Sequence, residues 1–214
     1  MMSDLLYKEL RLAAHPNLFI FTAMGVLVIV PAYPYGMVFL FGCIALFITF
    51  MYGRETNDLY FTSLLPIKKI DVVKAKFFLV VLAQMTQILI SLPFAILRVY
   101  VLPGGNPAGI EANVAYYGFG LIIYVVFNFI FLTEFFKSGY KAGKAFLLGI
   151  IPAGLLAVIM EVIVHVPPFQ WLDSVEPYMM LRQLPVLLCG TLLYAIGMYA
   201  AFKISAQRFE RVDL

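Results

Sequence analysis

Six apolar runs, each near the length of a membrane crossing, alternate with short polar or Pro- and Gly-bearing interruptions along this chain. They fall at about 17–32, 35–52, 77–102, 114–136, 145–166 and 184–204. An apolar run of ~20 residues crosses a hydrocarbon core as a helix, because only a helix satisfies its own backbone there. The pattern therefore predicts an all-α membrane protein with six transmembrane helices in one domain over 1–214. Tyr33-Pro34 leaves room only for a tight turn between the first two runs. The stretches 103–113 and 165–177 read as loops from their Pro and Gly content. Pro93 and Pro152 predict kinks in the third and fifth spans.

Two segments outside the spans carry a pattern of their own. Over 3–15, Leu5, Leu6, Leu10 and Ala13 form an apolar side and Lys8, Glu9 and Arg11 a polar one, with Ser3 or Asp4 as the cap and His15-Pro16 as the stop. This predicts an amphipathic helix lying in the membrane interface. The longest polar interruption is 53–76, GRETNDLYFTSLLPIKKIDVVKAK. Thr56 or Asn57 can cap a short helix there. Glu55 and Asp58 sit at its start, where the helix dipole favours negative charge, and Pro66 ends it. The predicted helix is 54–65. As a plain interfacial helix it would dip its aromatics into lipid and set Lys68, Lys69, Lys74 and Lys76 at the headgroups.

Composition excludes a soluble domain, with 63% hydrophobic residues, 13% charged and a mean hydropathy of +0.95. The start, MMSDLLYKELRLAAHPN, has mixed charge and no small-residue cleavage site, so a cleavable signal is not expected. Cys43 and Cys189 lie within apolar runs and suggest no disulfide framework. Charge also sets the orientation. Six spans put both termini on one side, and that side holds Lys8, Arg11, the five basic residues of 53–76, Lys137, Lys141, Lys144, Lys203, Arg208 and Arg211, against Arg98 and Arg182 opposite. The termini and the 53–76 loop are thus expected in the cytoplasm. Tyr33, Tyr35, Tyr100, Tyr116, Tyr117 and Trp171 would then form an outer aromatic belt.

Within the spans, Gln84, Gln87 and Ser91 share one helical face near mid-membrane, and Asn128 lies at similar depth. Such groups either hydrogen-bond between helices or line a substrate path. Arg98, Glu161 and His165 approach the outer ends of their spans, where a structural ion pair or snorkelling is expected and a substrate or proton-linked role is the alternative. Glu134 has Lys137 as a local partner. No catalytic residue, metal site, cofactor or nucleic-acid partner is read from the chain. The nearest string to a P-loop, Gly139-Tyr-Lys-Ala-Gly143-Lys144-Ala145, has one residue too few between its glycines and lacks the hydroxyl that would reach magnesium.

The order E-x-N-D-x-x-[FY]-x-S-L-L-P-[IV]-x-K-x-[DE]-[VI]-V-x-x-K after the second span resembles the small six-span permeases of ABC-2-type transporters from Gram-positive bacteria. That group includes exporters of amphipathic peptides and lantibiotic-immunity transporters. Glu55, Asn57, Asp58, Ser63, Leu64, Leu65, Pro66, Lys69, Asp71, Val73 and Lys76 match the pattern, and Ile70 departs from it. The resemblance implies a permease in the bacterial cytoplasmic membrane. It also implies that 54–65 is a coupling helix seated in a separate ATPase subunit, which carries the ATP and magnesium. The contact residues implied are Glu55, Asn57, Asp58, Tyr60, Phe61 and Leu64, with the acids meeting basic groups. A second permease chain, as homodimer or heterodimer, would complete the path for a peptide or other amphipathic substrate. The alternatives are a membrane immunity or sensor protein that acts by binding, and an intramembrane enzyme. For the latter, Glu161 with His165 is the sole candidate pair, without a nucleophile or metal cluster.

Overall fold

A computed structural model describes residues 2–64, 66–101, 105–138 and 141–212, apart from the side chains of Met2, Ser3, Leu59 and Ser63. The Ser3 cap, Leu65 and Gly139 therefore lie outside the described residues. The chain runs through α1 (Met2–Lys8), a π-helical turn (Glu9–Ala13), α2 (Pro16–Ala23), a 3-10 segment (Met24–Ile29), α3 (Gly36–Glu55), α4 (Asp58–Ser63), α5 (Lys69–Val101), α6 (Val114–Ser138), α7 (Ala142–Ile163), a second 3-10 segment (Pro167–Leu172) and α8 (Pro177–Glu210). Among the described residues, α3, α5, α6, α7 and α8 are each long and apolar enough to cross a membrane.

The first span is built differently from the others. The N-terminal helix Asp4–Ala13 meets Pro16–Ile29 at 86°. His15 Nδ1 accepts from Asn17 N at 3.1 Å and caps the new helix, and Pro16 starts it where a missing N–H costs nothing. After Ala23 the helix tightens to 3-10 geometry because Gly25, Val26, Val28 and Ile29 are weak helix formers, and it stops before Pro31. Eight α-helical and six 3-10 residues span about 24 Å together, since a 3-10 helix rises ~2.0 Å per residue. The segment thus covers about the length of the predicted 17–32 helix with fewer residues, because its second half is wound more tightly. At the positions of the expected kinks, α5 continues as helix through Pro93 and α7 through Pro152.

The bundle is organised round α6. Its buried side chains run along the whole helix, from Ala115 to Phe136, and α8, α7 and α3 pack on it. Gly118 and Gly190 allow α6 and α8 to touch backbone to backbone, since a Cβ on Gly190 would lie 2.3 Å from the Gly118 carbonyl oxygen. A ladder of rings, Phe50 on Phe135 at 4.7 Å and Phe136 on Phe209 at 5.3 Å, fills the core near the end that carries both termini. Outward, α5, α7 and α8 expose Leu89, Ile96, Leu147, Ile151, Leu155, Leu188, Leu192 and Ile196, the faces a bilayer would cover.

The opposite end is closed by loops held from within. Arg98 does not pair with Glu161. Its Nη2 meets Glu111 at 3.1 Å and its Nε donates to the Tyr35 hydroxyl. Glu161 instead accepts from the backbone N–H of Gly36 and from that of Ile110 at 3.0 Å, so neither the Glu161–His165 nor the Arg98–Glu161 pairing forms. Burial pushes the Glu111 carboxyl above its ordinary pKa, and the Arg98 guanidinium pulls it back. Tyr35 and Tyr116 are buried in the bundle rather than set in an aromatic belt, because their hydroxyls bond across helices; Tyr100 remains exposed. Glu134 pairs with Arg208 of α8 at 2.9 Å instead of with Lys137.

The α6–α8 crossing yields a direct test. Gly190→Val forces a side chain into backbone that cannot yield, at a cost of ~1–3 kcal/mol or more, and should lower the unfolding temperature in detergent by several degrees. Gly154→Ala adds its methyl where nothing lies within 4 Å and should leave that temperature unchanged or slightly raised.

Candidate functional site

The polar segment between α3 and α5 folds as a helix–turn–helix rather than as one helix over 54–65. Arg54 and Glu55 finish α3. Asn57 then takes a left-handed conformation at φ 52°, which asparagine tolerates better than most residues. Thr56 N bonds the Tyr52 carbonyl at 2.9 Å and Asn57 N the Arg54 carbonyl at 3.1 Å, closing α3 before α4 opens. Asn57 holds the N-cap position of α4 but makes no side-chain cap bond there.

This turn sets the facing of α4. Asp58 and Thr62, four residues apart, look inward, while Tyr60, Phe61 and Leu64 look outward and are 51%, 62% and 65% exposed. The Tyr60 and Phe61 rings sit edge to face at 6.0 Å, and Glu55 and Asn57 are exposed beside them. The inward face meets a closed ring of charge. Lys8 Nζ contacts Glu9 Oε1 at 2.8 Å and Asp58 Oδ1 at 2.5 Å; Lys76 Nζ contacts Glu9 Oε2 at 2.8 Å and Asp58 Oδ2 at 2.7 Å. Each carboxylate spends one oxygen on each ammonium, so charges alternate round the ring and sum to zero. Lys8 also donates to Thr62 Oγ1 at 3.0 Å. Glu9 is 1% exposed and Lys76 3%.

Asp58 was expected to offer its charge outward, and it is instead spent within the chain. Burial raises its pKa, but Lys76 and Lys8 outweigh this and hold it below the ordinary carboxylate value. The stability it lends is complete above the unfolded value of ~3.9 and is lost as pH falls through the lower folded one. Glu9 reverses another expectation. It belongs to the buried stripe Leu5–Glu9–Ala13 rather than to a solvated face, and the π-helical turn begins at it. That spacing of four was legible in the sequence, whereas the partners at 58 and 76 were not.

Further along, Lys69 Nζ donates to the carbonyls of Val212 at 2.7 Å and Glu210 at 3.4 Å, where the α8 dipole favours a cation. The segment 53–76 is thereby tied to the regions near both termini.

The mid-membrane polar residues are sealed inside the bundle. Gln84 and Asn128 exchange two hydrogen bonds, at 3.0 and 2.8 Å, and Tyr194 donates to Gln84 Oε1 at 2.9 Å. Gln87 donates to the Val38 carbonyl at 2.7 Å and accepts from Tyr124 at 2.6 Å, while Ser91 and Tyr117 share a bond of 3.0 Å. All four predicted residues are buried, with partners in their own chain. Hydrogen bonding between helices accounts for them. The described residues bring together no cluster of three or more His, Cys, Asp or Glu side chains.

Residues 4–208 match the model of a family described as ABC-2 family transporter protein. The chain belongs to the ABC-2 transporter family. It is therefore a membrane permease component of an ABC transporter, a system in which an ABC ATPase accompanies the bilayer-embedded part. No curated protein and no solved structure matches it. For an ABC-2 protein the helix–turn–helix between two spans, apolar on its outer face and ionic on its inner one, is the arrangement most in need of a purpose.

Removing one member of the ring should be costlier than removing a neighbouring pair. Glu9→Gln leaves two ammonium groups sharing the one carboxylate of Asp58, and a buried charge left uncompensated in an ion pair costs ~3–5 kcal/mol. Lys8→Met combined with Glu9→Gln keeps the charge balanced and should recover most of the loss. Thermal unfolding of the single and double variants in detergent would read the difference.

Proposed function

We propose that this chain is the membrane-spanning permease subunit of an ATP-driven exporter, and that α4 is its coupling helix, seated in a cleft of a separate ATPase subunit. The observation that carries this reading is the two-faced character of α4. Its outward side presents Tyr60, Phe61 and Leu64, with Glu55 and Asn57 next to them, while its inward side is fixed by ion pairs. Aromatic anchors that bury in a partner's pocket dominate interfaces of this kind. Asp58 serves by holding the helix in place rather than by meeting the ATPase.

ATP-driven movement of the ATPase would push α4 and rock the spans. Two permease chains, identical or paralogous, would form the translocation path between them. The resemblance of 53–76 to peptide-exporting permeases supports an amphipathic substrate such as a peptide, moved outward from the cytoplasm. The excess of Lys and Arg at the terminal end supports a bacterial cytoplasmic membrane setting with both termini inside. ATP and magnesium belong to the partner subunit.

Tyr60→Ala with Phe61→Ala should release the ATPase subunit from tagged permease during purification, a loss of at least ~10-fold in affinity for two buried aromatic anchors, while the permease stays monodisperse in detergent. Retention at wild-type affinity would refute the assignment of α4. It would favour an immunity or sensor protein that binds without a motor.

A further inference from the structure

The ring of Lys8, Glu9, Asp58 and Lys76 joins elements that are far apart in sequence and that differ in their reach across the membrane. Lys8 and Glu9 stand where α1 passes into the π-helical turn. Asp58 opens α4, and Lys76 lies two turns into α5, the 33-residue helix that crosses the bilayer. We propose that the N-terminal helix is a moving part of the coupling apparatus, carried with α4 and the start of α5 as one body by this ring. The proposal rests on the reading of α4 as the ATPase contact and adds that the push arrives at two spans together.

Three features of the geometry lead there. The alternation is closed, so the N-terminal helix cannot part from α4 and α5 without separating Lys8 from Asp58 and Lys76 from Glu9 together. Glu9 and Lys76 are shut off from water, so a separated state would leave each with one of its two ion pairs, Glu9 with Lys8 and Lys76 with Asp58, and no solvent to replace the other. Motions that keep the ring intact are therefore the cheap ones. From α1 the chain continues, after its 86° bend, into α2 and the 3-10 segment that pack on α5. A displacement of α4 thus enters α5 directly at Lys76 and enters the first span through the N-terminal helix. Glu9 and Lys8 are positioning residues in this scheme and touch neither nucleotide nor substrate.

The test uses the whole permease with its ATPase subunit in lipid nanodiscs, comparing amide hydrogen exchange with and without a non-hydrolysable ATP analogue. In the wild-type complex, amides over 4–13 and over 58–63 should change together on nucleotide binding. Lys8→Met with Glu9→Gln keeps the Asp58–Lys76 pair and charge balance but leaves no ion pair between the N-terminal helix and α4. In that variant α4 should still respond and the ATPase should still co-purify, while the response of 4–13 disappears and permease-dependent ATP hydrolysis falls by roughly fivefold or more. A role confined to stability predicts a charge-balanced variant that behaves as wild type in both readouts, and that result would overturn the proposal. So would a wild-type complex in which α4 responds and 4–13 does not. If neither segment responds and α4 substitutions leave the ATPase bound, the docking reading itself fails, a separate outcome from failure of the ring.

Discussion

Two ammonium groups and two carboxylates, held in alternation at 2.5 to 2.8 Å, decide how the terminal end of this protein is put together. Taken singly, Glu9 or Lys76 would be untenable where it lies, because an isolated ion out of water costs several kcal/mol. Taken together they form a neutral unit that places three helices from different parts of the chain. The facing of α4 follows from it: once Asp58 and Thr62 are drawn inward, Tyr60, Phe61 and Leu64 must turn out. The left-handed Asn57 is what lets α4 leave the axis of α3 and reach the ring at all.

Deeper in the bundle the same requirement, that no polar group be left alone in an apolar medium, is met without charge. Gln84, Asn128 and Tyr194 tie α5, α6 and α8 together, and Gln87 with Tyr124 and the Val38 carbonyl ties α5, α6 and α3. Apolar side chains gain little from choosing one another over lipid, so amides and hydroxyls supply the specificity of pairing. At the far end Arg98, Glu111 and Tyr35 repeat the ionic solution beneath the loops. Specific polar ties thus occur at three depths, with apolar packing between them.

Much of this was legible in the sequence, and the remainder divides by cause. The long apolar helices, an N-terminal helix before the first span and a short helix ending ahead of Pro66 follow from local hydrophobic pattern and from Pro placement. The first span misled because composition reports apolarity and not pitch: Gly25, four β-branched residues and Pro31 in quick succession favour a tighter turn over an α-helix. The site was read at the level of segment and not of facing. Tyr60 and Phe61 are exposed as a docking surface needs, but Asp58 is committed inward, because its partners lie at positions 8 and 76 and no local rule links those numbers. Glu111 escaped notice for the same reason, as a loop acid whose arginine is buried in a neighbouring helix.

The close crossing of α6 and α8 bears on how the protein is made. α6 holds Asn128 at its centre, bonded to Gln84 of α5 and Met198 of α8, and Gly118 bare on its flank against the α8 backbone. During synthesis α6 enters the membrane before α8 exists. For that interval its glycine groove faces lipid or the insertion machinery, and Asn128 has Gln84 alone for company. The bundle is thus zipped shut from its C-terminal side, and quality control has a natural checkpoint in the arrival of α8.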